Sequence, residues 1–137
     1  MLQPLILSST KETPSVVLDA QNNIFAFSDT SWPQDAVKFY SPIISWVEEY
    51  FKKPNPVTIF EFKMNYFNTS SAKQFAKLLS VIKKYSANNI VKIVWFYQRD
   101  DLDMLKAGNR YAKLLDMDFE TISTDENFPT DAEDYYV

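Results

Sequence analysis

Asn68-Thr69-Ser70-Ser71 sets three hydroxyl side chains in a row behind an asparagine, directly after the aromatic pair Tyr66-Phe67. Residues of these types do two things at the start of a helix. One serine or asparagine satisfies an unpaired first-turn amide, and three successive hydroxyls exceed that need. A hydroxyl there is also a phosphate acceptor, since a phosphoryl group carries about −1.5 to −2 charges at neutral pH and would lie near unpaired amides. The residues thus point to a phosphorylation site within Thr69, Ser70 and Ser71, or to a site that holds a small anion without covalent change. A second group, Asp100, Asp101 and Asp103 with Glu61 elsewhere, has the oxygen ligands of a hard-cation site or the carboxyls of an acid/base enzyme. The same three aspartates are what the positive end of a helix favours, and that is the reading taken here. No catalytic residue, metal or cofactor is expected.

The elements that must position the hydroxyl run follow from periodicity. Leu5-Ile6-Leu7, Val16-Val17-Leu18 and Ile24-Phe25-Ala26-Phe27 read as strands, the last two forming a hairpin across Ala20-Gln21-Asn22-Asn23. Ser31-Trp32-Pro33 suggests a helix start with Ser31 as N-cap, followed by Val37, Tyr40, Ile44, Val47 and Phe51 at helical spacing. Pro42 inside that pattern predicts a kink or two helices meeting near Ser41. Thr58, Phe60, Phe62 and Met64 alternate as one face of a strand. A helix comes next with Phe75, Leu78, Leu79, Ile82 and Tyr85 inward, and Ser71 with Gln74 spaced as a capping box. The apolar run from Ile90 to Tyr97 predicts a central strand covered by helices on both faces. A further helix turns Met104, Leu105, Tyr111, Leu114 and Leu115 inward, and Phe119 to Ser123 is a last strand. This order gives an α/β sandwich with a mixed sheet, antiparallel first and parallel through right-handed crossovers later.

The hydroxyl run then sits at a strand-to-helix junction on the carboxyl edge of the parallel strands, where function gathers in α/β folds. On the helix that follows, Lys73, Lys77, Ser80 and Lys84 fall in one stripe with Val81 at its flank. Asn68, Thr69, Ser70, Lys73, Lys77, Val81 and Lys84 are therefore read as a partner-binding face.

Composition narrows the classes. The chain has 137 residues, enough for one domain with a real core, and neither cysteine nor histidine, which removes disulfides, thiolate sites and the commonest general base. Its single glycine, Gly108, rules out a glycine-rich phosphate loop. Of the net charge of −4, five acids lie in residues 124–137, leaving 13 acids against 14 bases in the body. A nearly neutral body lacks the basic footprint of a nucleic-acid surface. No leader pattern or bilayer-length apolar run is present, so a cytoplasmic protein without membrane contact is expected. The body is expected to span residues 1–123. Residues 124–137 are expected to be a mobile acidic tail, dispensable for folding, with Phe128, Tyr135 and Tyr136 as the side chains that would dock were it not.

Several segments together resemble the SiaC-type regulatory phosphoproteins, whose fold is similar to the STAS domains of anti-sigma-factor antagonists. These are Glu12-Thr13-Pro14; Pro33 to Tyr40 with Pro42-Ile43 and Trp46; Phe60-Glu61-Phe62-Lys63 with Tyr66 to Ser71; and Trp95-Phe96-Tyr97 before Asp100-Asp101 and Asp103-Met104. The resemblance implies a STAS-like fold and a non-enzymatic adaptor. It implies Thr69 as the phosphoacceptor, with Ser70 and Ser71 as fallbacks. It also implies a partner-switching circuit of a cognate protein kinase, a PP2C-type phosphatase and a diguanylate cyclase that the unphosphorylated protein binds and activates, with cyclic di-GMP as output and aggregation or biofilm formation under its control. The acidic tail extends past the family pattern.

Overall fold

The computed structural model describes residues 2–136. Six strands form one sheet in sequence order: β1 (Leu5–Leu7), β2 (Ser15–Asp19), β3 (Ile24–Ser31), β4 (Val57–Phe67), β5 (Ile90–Gln98) and β6 (Phe119–Thr124). β1–β2 and β2–β3 are antiparallel, and the pairs from β3 to β6 are parallel. Helices α1 (Ala36–Tyr50), α2 (Thr69–Ser86) and α3 (Leu102–Leu115) make the crossovers. Each crossover steps one strand in the same direction, so right-handedness puts all three helices on one face. Ring contacts across that layer show it: Phe25 with Tyr50, Phe62 with Phe75, and Trp95 with Tyr111.

This corrects the expectation for β5. It lies between β4 and β6, but helices cover only the face carrying Val91, Ile93 and Trp95. The other face is closed by the chain's own C-terminal segment. Phe128 and Ala132 are buried, and Gln98 Nε2 donates to the Glu126 carbonyl at 2.7 Å. The segment ends in a short 3-10 helix (Ala132–Tyr136) whose Tyr136 hydroxyl donates to Asp19 Oδ2 at 2.6 Å. The tail expected to be mobile is therefore packed: the residues that alternate outward from β2 to β5 need an apolar cover that no helix supplies.

Other local differences have local causes. Helix α1 begins at Asp35, whose Oδ1 accepts from the Lys38 amide at 3.0 Å, whereas Ser31 closes β3 opposite Phe67. α1 runs unbroken through Pro42, which lies on the exposed side where water can take the Lys38 carbonyl left without its donor. Val37 and Leu114, read as inward, are 60% and 74% exposed. The hairpin holds, with Asp19 opposite Ile24 and Asn23 at φ 56°, a left-handed conformation asparagine tolerates. Gly108 has a packing role. A β-carbon there would stand 2.5 Å from Trp95 Cδ1, so only glycine lets α3 close onto the buried indole.

Candidate partner face at the start of the second crossover helix

The junction is built by a bulge. Opposite β3, Asp29 pairs with Met64 and Thr30 with Tyr66, so Asn65 is an extra residue in β4. It inverts the alternation: Thr58, Phe60, Phe62 and Met64 face the helices, then Phe67 does so against Phe75 and Trp95, while Tyr66 is 54% exposed. Across the bulge, Asp29 is held at φ 81° with its carboxylate accepting from Thr30 Oγ1 and Asn65 Nδ2 at 3.3 and 3.4 Å. The strand thus ends with Asn68 at the mouth of α2.

Asn68 caps the helix. Its Oδ1 accepts from the Ser71 amide at 2.9 Å, its carbonyl accepts from the Ala72 amide at 2.9 Å, and its own amide donates to the Ser31 carbonyl at 3.0 Å. The expected Ser71–Gln74 capping box does not form, because Ser71 lies inside the first turn and points down. Its hydroxyl is buried, 2.8 Å from Ser31 Oγ, and donates to the Ser31 carbonyl at 3.0 Å. Ser31 Oγ in turn lies 2.6 Å from the Tyr40 hydroxyl. Burial pushes the Tyr40 phenol far above its ordinary value, so it stays protonated in this chain of hydroxyls. Tyr111, raised to about 12 by burial, donates to the Ala72 carbonyl at 2.9 Å from the α3 side.

The three hydroxyls are thereby separated. Thr69 and Ser70 are exposed, and their amides head the first turn with no intrahelical acceptor. Ser71 is fully buried and bonded, so as a fallback acceptor it is out of reach of a kinase unless the junction opens. Ser70 lines an open depression of about 200 Å³ with Lys73, Gln74 and the first residues of α1, Gln34 to Val37. Lys73, Lys77 and Lys84 share the exposed stripe, and among the described residues none of them forms an ion pair; the Lys84 ammonium lies 5.2 Å from the Tyr85 ring centroid. Val81 is half-buried and packed against the core, so it offers this face only an edge.

Sequence reading missed Ser31 and Tyr40 as the floor of the junction, and Gln34 and Val37 as its neighbours across the depression. The acids of the enzyme reading do not converge: among the described residues no three histidine, cysteine or acidic side chains are grouped to hold a metal ion. Asp101 is the N-cap of α3, accepting from the Met104 amide at 3.1 Å.

The model of the SiaC family regulatory phosphoproteins matches residues 7–124. The chain belongs to the SiaC family. A relative from Pseudomonas aeruginosa strain UCBPP-PA14, itself uncharacterised, is 21% identical over 126 residues, covering 91% of this chain and all of its own. Among solved structures, that of the diguanylate cyclase SiaD in complex with its activator SiaC from Pseudomonas aeruginosa contains a chain that superposes with a TM-score of 0.82 at 20% identity, over 88% of this chain and 99% of that one. SiaC of Pseudomonas aeruginosa in another structure gives 0.77 at 20% identity, over 89% and 99%. The mixed six-stranded α/β architecture is the SiaC fold. The family match ends at Thr124, before the segment that closes the second face of the sheet.

Proposed function

We propose that this SiaC-family protein is a non-enzymatic, cytoplasmic adaptor whose affinity for a diguanylate cyclase is set by phosphorylation of Thr69. The observation that carries the reading is the geometry of the junction. Thr69 and Ser70 stand exposed at the start of α2, while Asn68, Ser71, Ser31 and Tyr40 hold that start rigidly from below. The family's description as regulatory phosphoproteins supports the modification, and the solved SiaD–SiaC complex supports the class of partner. Among the described residues no helix is long and apolar enough to cross a membrane.

A phosphate on a rigid junction cannot swing away from a docked surface. Its added charge and bulk oppose the complex by repulsion and desolvation, and a change of about 1.4 kcal/mol is already tenfold in binding. Lys73, one turn along, is placed to pair with the phosphate and so leave the partner face. In the circuit proposed, a cognate kinase writes the mark, a PP2C-type phosphatase removes it, and the unmodified protein activates cyclic di-GMP synthesis.

Intact-mass analysis of protein isolated from its own cells, followed by site mapping, tests the assignment. A single phosphoryl group on Thr69, absent from Thr69→Ala, is expected. Full stoichiometry on another residue in the Thr69→Ala protein would overturn it.

A further inference from the structure

All six strands and the three α-helices precede residue 125, so the segment beyond them adds no strand to the sheet and no helix to the crossover layer. It crosses the sheet face that the helices leave open. It is first held just past β5, where the Arg99 guanidinium pairs with Asp125 at 2.8 Å, and Phe128 then lies by Lys63 of β4 and Phe96 of β5. Farther on, Ser9 Oγ donates to the Thr130 carbonyl and Ser8 Oγ to Asp131 Oδ1 at 3.2 Å. The Lys63 ammonium stands 5.0 Å from the Phe96 ring and 5.4 Å from the Tyr135 ring. Tyr136 reaches Asp19 on β2.

The fit is incomplete. Beneath the segment, the hydroxyls of Ser15, Ser28 and Tyr135 are buried without a well-formed hydrogen bond, although Ser28 lies beside the Tyr135 phenol. Buried hydroxyls left this way oppose the closed state. The attachments are single side chains joined to the body by one exposed connection, the pattern of a unit that opens below the global unfolding free energy.

We propose that this sheet face is a docking site for an acidic segment tipped with aromatic side chains, occupied in cis by residues 125–136 as a releasable strap, and open in trans to a partner segment of the same chemistry. The occupant's chemistry is read from the peptide seated there. A phenylalanine lies by Lys63 and Phe96, an acidic turn follows, and a tyrosine pair ends on Lys63 and Asp19.

Ser15 and Val16 provide the test, being neighbours on one strand, both with no solvent exposure, one under the strap and the other under the helices. The chain has no cysteine, so Ser15→Cys and Val16→Cys each carry a single reporter thiol. Under native conditions the Ser15→Cys thiol should react with a disulfide reagent at least tenfold faster than that of Val16→Cys. Adding Tyr136→Phe should speed the first and not the second. A synthetic peptide of residues 125–137, added to the Ser15→Cys, Tyr136→Phe protein, should slow labelling saturably, and a scrambled peptide should not. Ser28→Cys is the second reporter should Ser15→Cys fail to melt cooperatively. Equal labelling under strap and helices would overturn the independent opening, and labelling untouched by the peptide would overturn docking in trans.

Discussion

The Ser31 and Ser71 hydroxyls lie 2.8 Å apart, both buried, with the exposed Thr69 two residues before Ser71. The Ser31 carbonyl accepts from both the Asn68 amide and the Ser71 hydroxyl, so one residue of β3 pins the mouth of α2. Replacing Ser71 by alanine takes a buried partner from the Ser31 hydroxyl, leaving it Tyr40 alone, and removes one of the two donors to the Ser31 carbonyl. Ser71→Ala should therefore cost about 1–3 kcal/mol in chemical denaturation, with phosphorylation of Thr69 retained. A variant as stable as wild type would show that the buried chain does not hold the junction.

Trp95 is fully buried between Phe62, Phe67, Tyr111 and Phe119, and its Nε1 donates to the Met104 carbonyl at 3.0 Å. Trp95→Ala should destabilise the domain by roughly 3–5 kcal/mol. Stability retained with partner binding lost would place the functional face on this strand.

Gly108→Ala separates packing from helix propensity. At an open helical position the change would favour folding by about 1 kcal/mol. Here the new methyl meets the Trp95 ring at 2.5 Å, so the sign should reverse, with a loss of about 1–3 kcal/mol by overpacking. A rise in melting temperature would contradict the close approach of α3.

Removal of residues 125–137 uncovers Phe96 and the buried serines of the second face and removes the burial of Phe128. Burial of one such side chain is worth about 1.5–3 kcal/mol, so truncation after Thr124 should lower the melting temperature by roughly 5–10 °C while the transition stays cooperative. A melting temperature unchanged within a degree would show that the segment contributes nothing.

The strap should also loosen at both pH extremes. Desolvation pushes the Asp19 carboxyl up, but the hydrogen bonds from Tyr136 and Asn22 outweigh it and leave the carboxyl below its ordinary 3.8, so its contribution is lost as the pH falls through that lowered value. Burial and the Asp19 bond raise the Tyr136 phenol to about 12, so its contribution is present below 10 and lost as the pH rises towards 12. Melting curves of wild type and Tyr136→Phe should converge at both ends and differ between them. A constant difference across the range would contradict the latch.

Periodicity made most of the elements legible, because Thr58 to Met64 alternates as a half-buried strand and Phe75 to Ile82 repeats as a helix facing it. The site was half legible. Three hydroxyls marked the junction, but nothing in their order told which one faces inward, since that depends on Asn65, a single extra residue with no signature of its own. Ser31 sits in a Ser-Trp-Pro pattern that locally suggests a helix start, and only pairing with Phe67 across the sheet keeps it in the strand. In residues 124–137 the aromatics Phe128, Tyr135 and Tyr136 were legible as side chains that could dock, but the acidic run around them favoured a mobile tail, because their partners lie more than a hundred residues away on β2 or come together only once the sheet has formed.

A charge placed on Thr69 should weaken the complex with the diguanylate cyclase without disturbing the fold. Titration calorimetry of unmodified, Thr69-phosphorylated and Thr69→Ala protein against the candidate diguanylate cyclase, with circular dichroism melting of each, measures both halves at once. Unmodified protein and Thr69→Ala should bind alike, and the phosphorylated protein should bind at least about tenfold more weakly, a difference of about 1.4 kcal/mol, with all three melting within a few degrees of one another. Equal affinity of the phosphorylated and unmodified proteins would contradict the account.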